Sequence, residues 1–233
     1  MLKLNRALYR DKDFQLSASF EAKSGEVTAM LGPSGAGKTT LLSLISGFAS
    51  LVSGQISVGG TEISQLSAAD RPVSMVFQDN NVFPHLTLAE NVALGIAPRL
   101  KLNMAQQAEV EAALLRVGLQ ALAQRKPGQV SGGERQRVGL ARILVRRRPV
   151  LLLDEPFAAL DPGLRRNMLS LVADITRERD LVTLLVSHQP LEVAEKAQSA
   201  IFIYDGLARA CVPMQDFLGD KDPAIVAYLG SPP

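Results

Sequence analysis

VTAMLGPSGAGKTTLLSLISG, residues 27–47, is the stretch on which the fold turns. Val27–Leu31 is an unbroken apolar run, the pattern of a strand covered on both faces. TTLLSLIS at 39–46 reads as a helix that Gly47 ends. Between them, GPSGAGKT at 32–39 fits G-x-x-x-x-G-K-[ST] in the strand-to-helix setting that gives the pattern its meaning. Gly32, Gly35 and Gly37 let the backbone curl around phosphate oxygens without Cβ clashes, and Pro33, Ser34 and Ala36 fill the remaining loop positions. The loop N–H groups and the helix start supply positive potential for an anion. Lys38 is placed to reach the β- and γ-phosphates of a nucleotide and Thr39 to set its hydroxyl on Mg²⁺, with Thr40 completing the helix entrance. A glycine turn that happens to precede Lys-Thr is the plain alternative, and the flanking strand and helix disfavour it.

Working outward, the C-terminal ends of other buried runs carry polar groups. VLLLDE at 150–155 closes a strand with Asp154, suited to hold Mg²⁺, and Glu155. On a strand-like backbone Glu155 points to the opposite face, where it can polarise a water aimed at the γ-phosphate. Gln78 follows VSMVF (73–77) and His188 follows VTLLVS (182–187). Strand ends of this kind are where ligands collect in open α/β sheets. Gln78 is read as touching the metal or the attacking water, and His188 as hydrogen-bonding the γ-phosphate. Taken singly, a pair of solvated acids or a surface histidine explains each of these; their company in one chain favours the site.

The rest of the chain predicts an α/β fold: a P-loop NTPase core whose mixed sheet has flanking helices and an N-terminal antiparallel β part, with an inserted helical subdomain. FQLSASFEA at 14–22 alternates with strand period. Thr87 and Glu90 have capping-box spacing, and Asn103 stands at the head of a periodic run that Gly118 stops. Residues 87–148 therefore read as a mostly helical insertion in a single domain spanning 1–233. Asp161-Pro162 opens a helix to about Arg179, and SAIFIYDGLARACV (199–212) reads as a hairpin turning at Asp205-Gly206.

Composition narrows the classes. A net charge of +2 gives no strong pull toward nucleic acid or acidic membranes, and 5% aromatic residues with no Trp weaken any base-stacking reading. One cysteine, Cys211, excludes a disulfide within the chain and favours a reducing compartment. MLKLNRALYRDKDF lacks the apolar stretch of a secretory signal, and VLLL and AIFI are too short to span a bilayer. The expectation is a soluble chain whose membrane role, if any, comes through a partner.

VSGGERQRVGLAR, residues 130–142, is a second glycine-tipped helix start, with Ser131, Gly132 and Gly133 at its cap. The first loop already holds its own nucleotide's phosphates. A second such device makes sense if it faces a nucleotide held by another copy, which predicts a homodimer with shared sites.

These residues in this order resemble the ATP-binding subunits of ABC transporters over nearly the whole chain: Walker A GPSGAGKT, Q-loop VFQ, signature VSGGE, Walker B VLLLDE, D-loop AALD (158–161) and the switch histidine His188. The resemblance implies ATP as ligand with Mg²⁺, and Glu155 as catalytic base. It implies Gln78 as γ-phosphate sensor and link to an integral membrane permease, and through the permease a substrate-binding protein. Ser131 and Gly133 would act across the dimer, Asp161 at the dimer contact, and the subunit would sit peripherally on the cytoplasmic face of the inner membrane. The family's adenine-stacking aromatic lies upstream of Walker A; Tyr9 is the candidate, with Phe14 as the alternative that its alternation assigns to the core. The signature departs from the usual Leu-Ser-Gly-Gly-Gln at Val130 and Glu134, and Glu134 adds a negative charge at the helix start. Residues 71–103, with Asn80, Asn81 and the stretch GIAPRLKLN, are similar to the ATPases of bacterial thiamine importers; His85 in this stretch reads as a loop residue near the partner surface. Soluble ABC-type ATPases of DNA repair or translation are the rival. Repair members carry long coiled coils that this insertion lacks, translation members usually pair two cassettes in one chain, and Arg146–Arg148 trails a helix C-terminus, where cations are favoured without nucleic acid.

Overall fold

The computed structural model describes residues 1–76, 82–158 and 160–230. In chain order the elements begin with β1 (Leu2–Asp11), β2 (Phe14–Ala22), β3 (Val27–Leu31), α1 (Lys38–Ser46), β4 (Ser53–Val58), β5 (Thr61–Glu62) and β6 (Val73–Val76). They continue with α2 (Leu88–Ala93), α3 (Met104–Arg116), α4 (Gly132–Val145), β7 (Val150–Asp154) and α5 (Pro162–Glu178). The chain closes with β8 (Val182–Val186), α6 (Pro190–Ala194), β9 (Ser199–Tyr204), β10 (Leu207–Ala208), β11 (Val212–Pro213), α7 (Met214–Leu218) and α8 (Pro223–Leu229). Two compact units result: one from Met1–Met75, Arg148–Glu155 and Leu169–Pro233, the other from Val76–Arg147 and Pro156–Met168.

The first unit is organised by one sheet in the order β5-β4-β1-β2-β10-β9-β3-β8-β7-β6, with β11 paired to β9. Its centre is parallel: β3 runs between β8 and β9, and β7 lies alongside β8. Every residue of β3, β7 and β8 is buried, as their unbroken apolar sequences require of strands covered on both faces. The N-terminal part is antiparallel, β1 pairing with both β2 and β4. β10 joins the two halves, lying parallel to β2 and antiparallel to β9. The β9–β10 turn is the expected Asp205-Gly206 pair, both with positive φ (47° and 68°), the twist that a two-residue hairpin needs.

β1, ten residues long, is a strand that period counting does not find. Its register shifts between Leu4 and Ala7, where Arg6 takes φ 48°. The bulge moves the inward-facing set by one residue and breaks the alternation that would mark the segment. It also brings backbone against backbone: a Cβ at Gly54 would lie 2.1 Å from the Arg6 carbonyl oxygen.

α1 follows the phosphate-type loop and ends at Gly47, φ 86°. Arg71, almost fully buried, donates from its guanidinium to the carbonyls of Leu44 and Ile45 at the end of α1 and of Ser64 and Leu66 beyond it. A buried cation is tolerated here because it satisfies helix-end carbonyls that otherwise lack partners.

In the second unit α2, α3 and α4 pack together, and each opens with a capping box: Thr87 with Glu90, Asn103 with Gln106, Ser131 with Glu134. Its polar pin is Asn91, fully buried, whose amide donates to the carbonyls of Phe83, Leu86 and Thr87 and accepts from the Phe83 N–H and from Arg142. Among the described residues no helix is long and apolar enough to cross a membrane.

Candidate functional site

The loop 32–37 carries the chain from β3 into α1. Gly32 adopts φ 147°, and a Cβ there would lie 2.0 Å from the Ile203 carbonyl oxygen, so only glycine fits. Gly37, at φ 107°, caps α1 with no side-chain hydrogen bond to its first N–H groups. A Cβ on Gly37 would lie 2.9 Å from the Phe14 ring. Phe14 thus packs on the loop itself, while Tyr9 stands half-buried on β1, its ring 6.5 Å from that of Phe14.

Lys38 is 6% exposed and its ammonium donates to the carbonyls of Gly32 (2.7 Å) and Pro33 (2.8 Å), the loop wrapped around its own cation. Burial pushes the Lys38 pKa down, and Glu155 and Asp154 oppose that shift. Asp154 ends β7, also 6% exposed. Burial pushes its pKa up and Glu155 adds to the rise, whereas a hydrogen bond from Thr39 and the charges of Lys38 and His188 pull it down. One buried cation and one buried carboxylate therefore face the same space, with the Thr39 hydroxyl between helix and strand.

Glu155 is not on a strand-like backbone. β7 stops at Asp154, and Glu155 takes φ 48°, its N–H reaching the Val186 carbonyl at 3.3 Å. The turn leaves the sheet at once, and a left-handed non-glycine residue costs on the order of 1–3 kcal/mol, which the neighbouring strands must overcome. Its carboxylate meets His188 Nε2 at 2.5 Å. His188 lies two residues beyond β8, so the parallel strands β3, β7 and β8 deliver Lys38, Asp154 with Glu155, and His188 to one end of the sheet.

In the second unit, Ser131 is the N-cap of α4. Its N–H and hydroxyl both donate to Glu134 Oε2, at 2.6 and 2.8 Å, and its Oγ accepts from the Glu134 N–H at 3.2 Å. These bonds hold the Glu134 pKa below the usual carboxylate range. Gly132 and Gly133 form the first turn, Gly133 close beneath Leu160. Asp161 caps α5, accepting from the Leu164 N–H at 3.0 Å. Gln78 lies outside the described residues.

Arg71 and Tyr228 carry no marker in their own stretches of sequence; Arg71 takes its meaning from the end of α1 and Tyr228 from the Phe202 ring.

No three His, Cys, Asp or Glu side chains cluster as a metal cage among the described residues. The Thr39 hydroxyl and the Asp154 carboxylate, joined by a hydrogen bond, are oxygen donors of the kind a Mg²⁺ ion takes from protein beside phosphate and water.

Residues 16–158 match the model of the ABC transporter family. The thiamine import ATP-binding protein ThiQ of Cereibacter sphaeroides is 47% identical over 99% of this chain and the whole of that protein. The protein of the same name from Brucella abortus is 50% identical over 88% of this chain and 86% of its own length. An ATP-binding cassette solved as a dimer in a post-hydrolysis state, bound to ADP and Pi, superposes with a TM-score of 0.81 at 26% identity, covering 92% of this chain and 99% of that one. With sequence, length and fold in agreement, the chain belongs to the ABC transporter family, as one of its ATP-hydrolysing subunits.

Proposed function

We propose that this chain powers the import of thiamine or its phosphates, splitting ATP as one of two identical subunits beneath a membrane permease that a substrate-binding protein supplies. The observation that carries the ATPase reading is the convergence of Lys38, Asp154, Glu155 and His188 beside a glycine loop. The relatives' name carries the substrate and, with it, the placement of the subunit on the cytoplasmic face of the inner membrane.

The loop N–H groups and Lys38 hold the β- and γ-phosphates, the Lys38 ammonium exchanging two carbonyls for phosphate oxygens. Thr39 and Asp154 would hold Mg²⁺, which supplies charge neutralisation on those oxygens. Glu155, oriented by His188, accepts a proton from water as the water oxygen bonds the γ-phosphorus and the bond to the β–γ bridging oxygen breaks, releasing ADP. Ser131 and Gly133 of one copy face the γ-phosphate held by the other, Asp161 lies at the dimer contact, and Tyr9 stacks on the adenine. Gln78 senses the γ-phosphate and passes its presence to the permease. Because contacts across the dimer exist only with a γ-phosphate present, ATP favours closure and hydrolysis reverses it.

Glu155→Gln should bind ATP, accumulate as a closed dimer on gel filtration and hydrolyse at least about 100-fold more slowly, the usual worth of a general base. Wild-type turnover in that variant would remove Glu155 from this role. Uptake of labelled thiamine should fail in cells lacking the subunit; unimpaired uptake would eliminate the substrate while leaving the ATPase intact.

A further inference from the structure

The hydrolysis scheme leaves one polar group at the site without a task. Asp222 caps α8, its carboxylate accepting from the Ala224 N–H at 2.8 Å and from the Arg209 guanidinium at 3.0 Å. Ile225 anchors the helix in the core. Arg209 lies over the Phe202 ring at 5.3 Å, and the Tyr228 ring meets the same phenyl group at 5.6 Å with a 54° tilt. Phe202 is the residue that pairs with Leu31, so α8 lands where β3 hands the chain to the loop.

The Tyr228 hydroxyl is buried there with no completed hydrogen bond. An unpaired buried hydroxyl is costly and rare enough in folded proteins to call for a reason. Two parts of the site act on it: against the upward push of burial, the Gly32 N–H draws its pKa down, and Glu155 raises it. The neighbouring peptide is the one at risk when ligand binds. Lys38 braces the carbonyls of Gly32 and Pro33, and a phosphate that captures the ammonium takes that brace away. Gly32 has no side chain of its own to steady it, and the Ile203 carbonyl leaves no room for one.

We propose that Tyr228 is a positioning residue for ATP binding, its hydroxyl accepting the Gly32 N–H and steadying the loop entrance once Lys38 has turned to the phosphates. The inference rests on the assignment of Lys38 to phosphate. It makes an unusual demand: the hydroxyl contributes to the bound state and not to the stability of the free protein.

Tyr228→Phe keeps the ring against Phe202 and removes only the oxygen. In the full-length protein it should weaken ATP binding about threefold to tenfold, the worth of one hydrogen bond, in a titration with a fluorescent ATP analogue and Mg²⁺. The ligand-free Tm should be unchanged or higher, and kcat at saturating ATP should stay within about twofold. A lowered ligand-free Tm accompanying the weaker binding overturns the proposal, because the hydroxyl then acts as ordinary packing. Unchanged ATP affinity in Tyr228→Phe, with affinity lost in Lys38→Ala measured alongside, overturns it too and leaves the site assignment standing. Unchanged affinity in Lys38→Ala would instead sink the phosphate assignment, and this inference with it.

Discussion

The molecule has two glycine-tipped helix starts, and they satisfy their backbone groups in opposite ways. At α1 the cap is Gly37, which offers no side chain, so the first N–H groups stay available to an anion, and the nearest cation is buried among loop carbonyls. At α4 the chain closes the cap itself: the Glu134 carboxylate takes both the N–H and the hydroxyl of Ser131. The first start leaves its N–H groups open, as an anion site requires. At the second, the Ser131 N–H and hydroxyl are already taken by a carboxylate of its own sequence. On the proposed function, the difference would separate a start that binds nucleotide alone from one that acts after nucleotide is held elsewhere.

Lys38→Ala is the harshest test of that contrast. It should lower ATP affinity by about 100-fold, as two charge-assisted hydrogen bonds to phosphate are lost. Ser131→Ala should leave ATP binding to the isolated chain unchanged and reduce turnover by about 10- to 100-fold, one charged hydrogen bond to the transferring phosphate. It should also cost about 1 kcal/mol of stability through the lost cap, read from urea unfolding. Weakened ATP binding by a monomeric Ser131→Ala would merge the two starts into one kind.

The glycines divide the same way, with smaller effects. Gly37→Ala meets both a positive φ of 107° and the Phe14 ring and should destabilise the protein by roughly 1–2 kcal/mol. Gly133→Ala meets only the tip of Leu160, and gains helix propensity, so its effect on Tm should be distinctly smaller. Equal losses would mean that the α4 glycines are as constrained as those of the loop. The slightest expected signal is the acid titration of Glu134. Its folded pKa lies below the ordinary value, so the cap's contribution is complete above the ordinary carboxylate range and fades only as pH falls through the lowered value. NMR of that carboxyl group showing an ordinary pKa would break the capping box.

What the sequence discloses follows from how local each signal is. β3, the loop and α1 are consecutive, and each has its own marker, so their reading needs no partner. The capping boxes at Thr87, Asn103 and Ser131 are confined to four residues; the first is legible as spacing and the second through its cap residue, Asn103. The box at Ser131 is less legible, because Glu134 invites a reading as a charge facing ligand; only its hydrogen bonds show the carboxylate folded back on its own serine. β1 is obscured by the bulge at Arg6. The left-handed turn at Glu155 has no glycine to announce it, and its cause lies in the end of β7 and the Val186 carbonyl. Arg71 and Tyr228 take their meaning from residues far along the chain, at the end of α1 and at the loop entrance, which no window of sequence contains.

The placement of β10 has a consequence for how the protein is made. In the sheet, the strands synthesised first, β1 and β2, are tied to the central strand β3 through β9 and β10, which are nearly the last to be made. While the ribosome is still short of residue 208, the early antiparallel ribbon and the central parallel strands have no ladder in common, and both present open edges. Leu207 and Ala208 are then the closing stitch. A chain lacking them should leave both edges open to pairing with another chain.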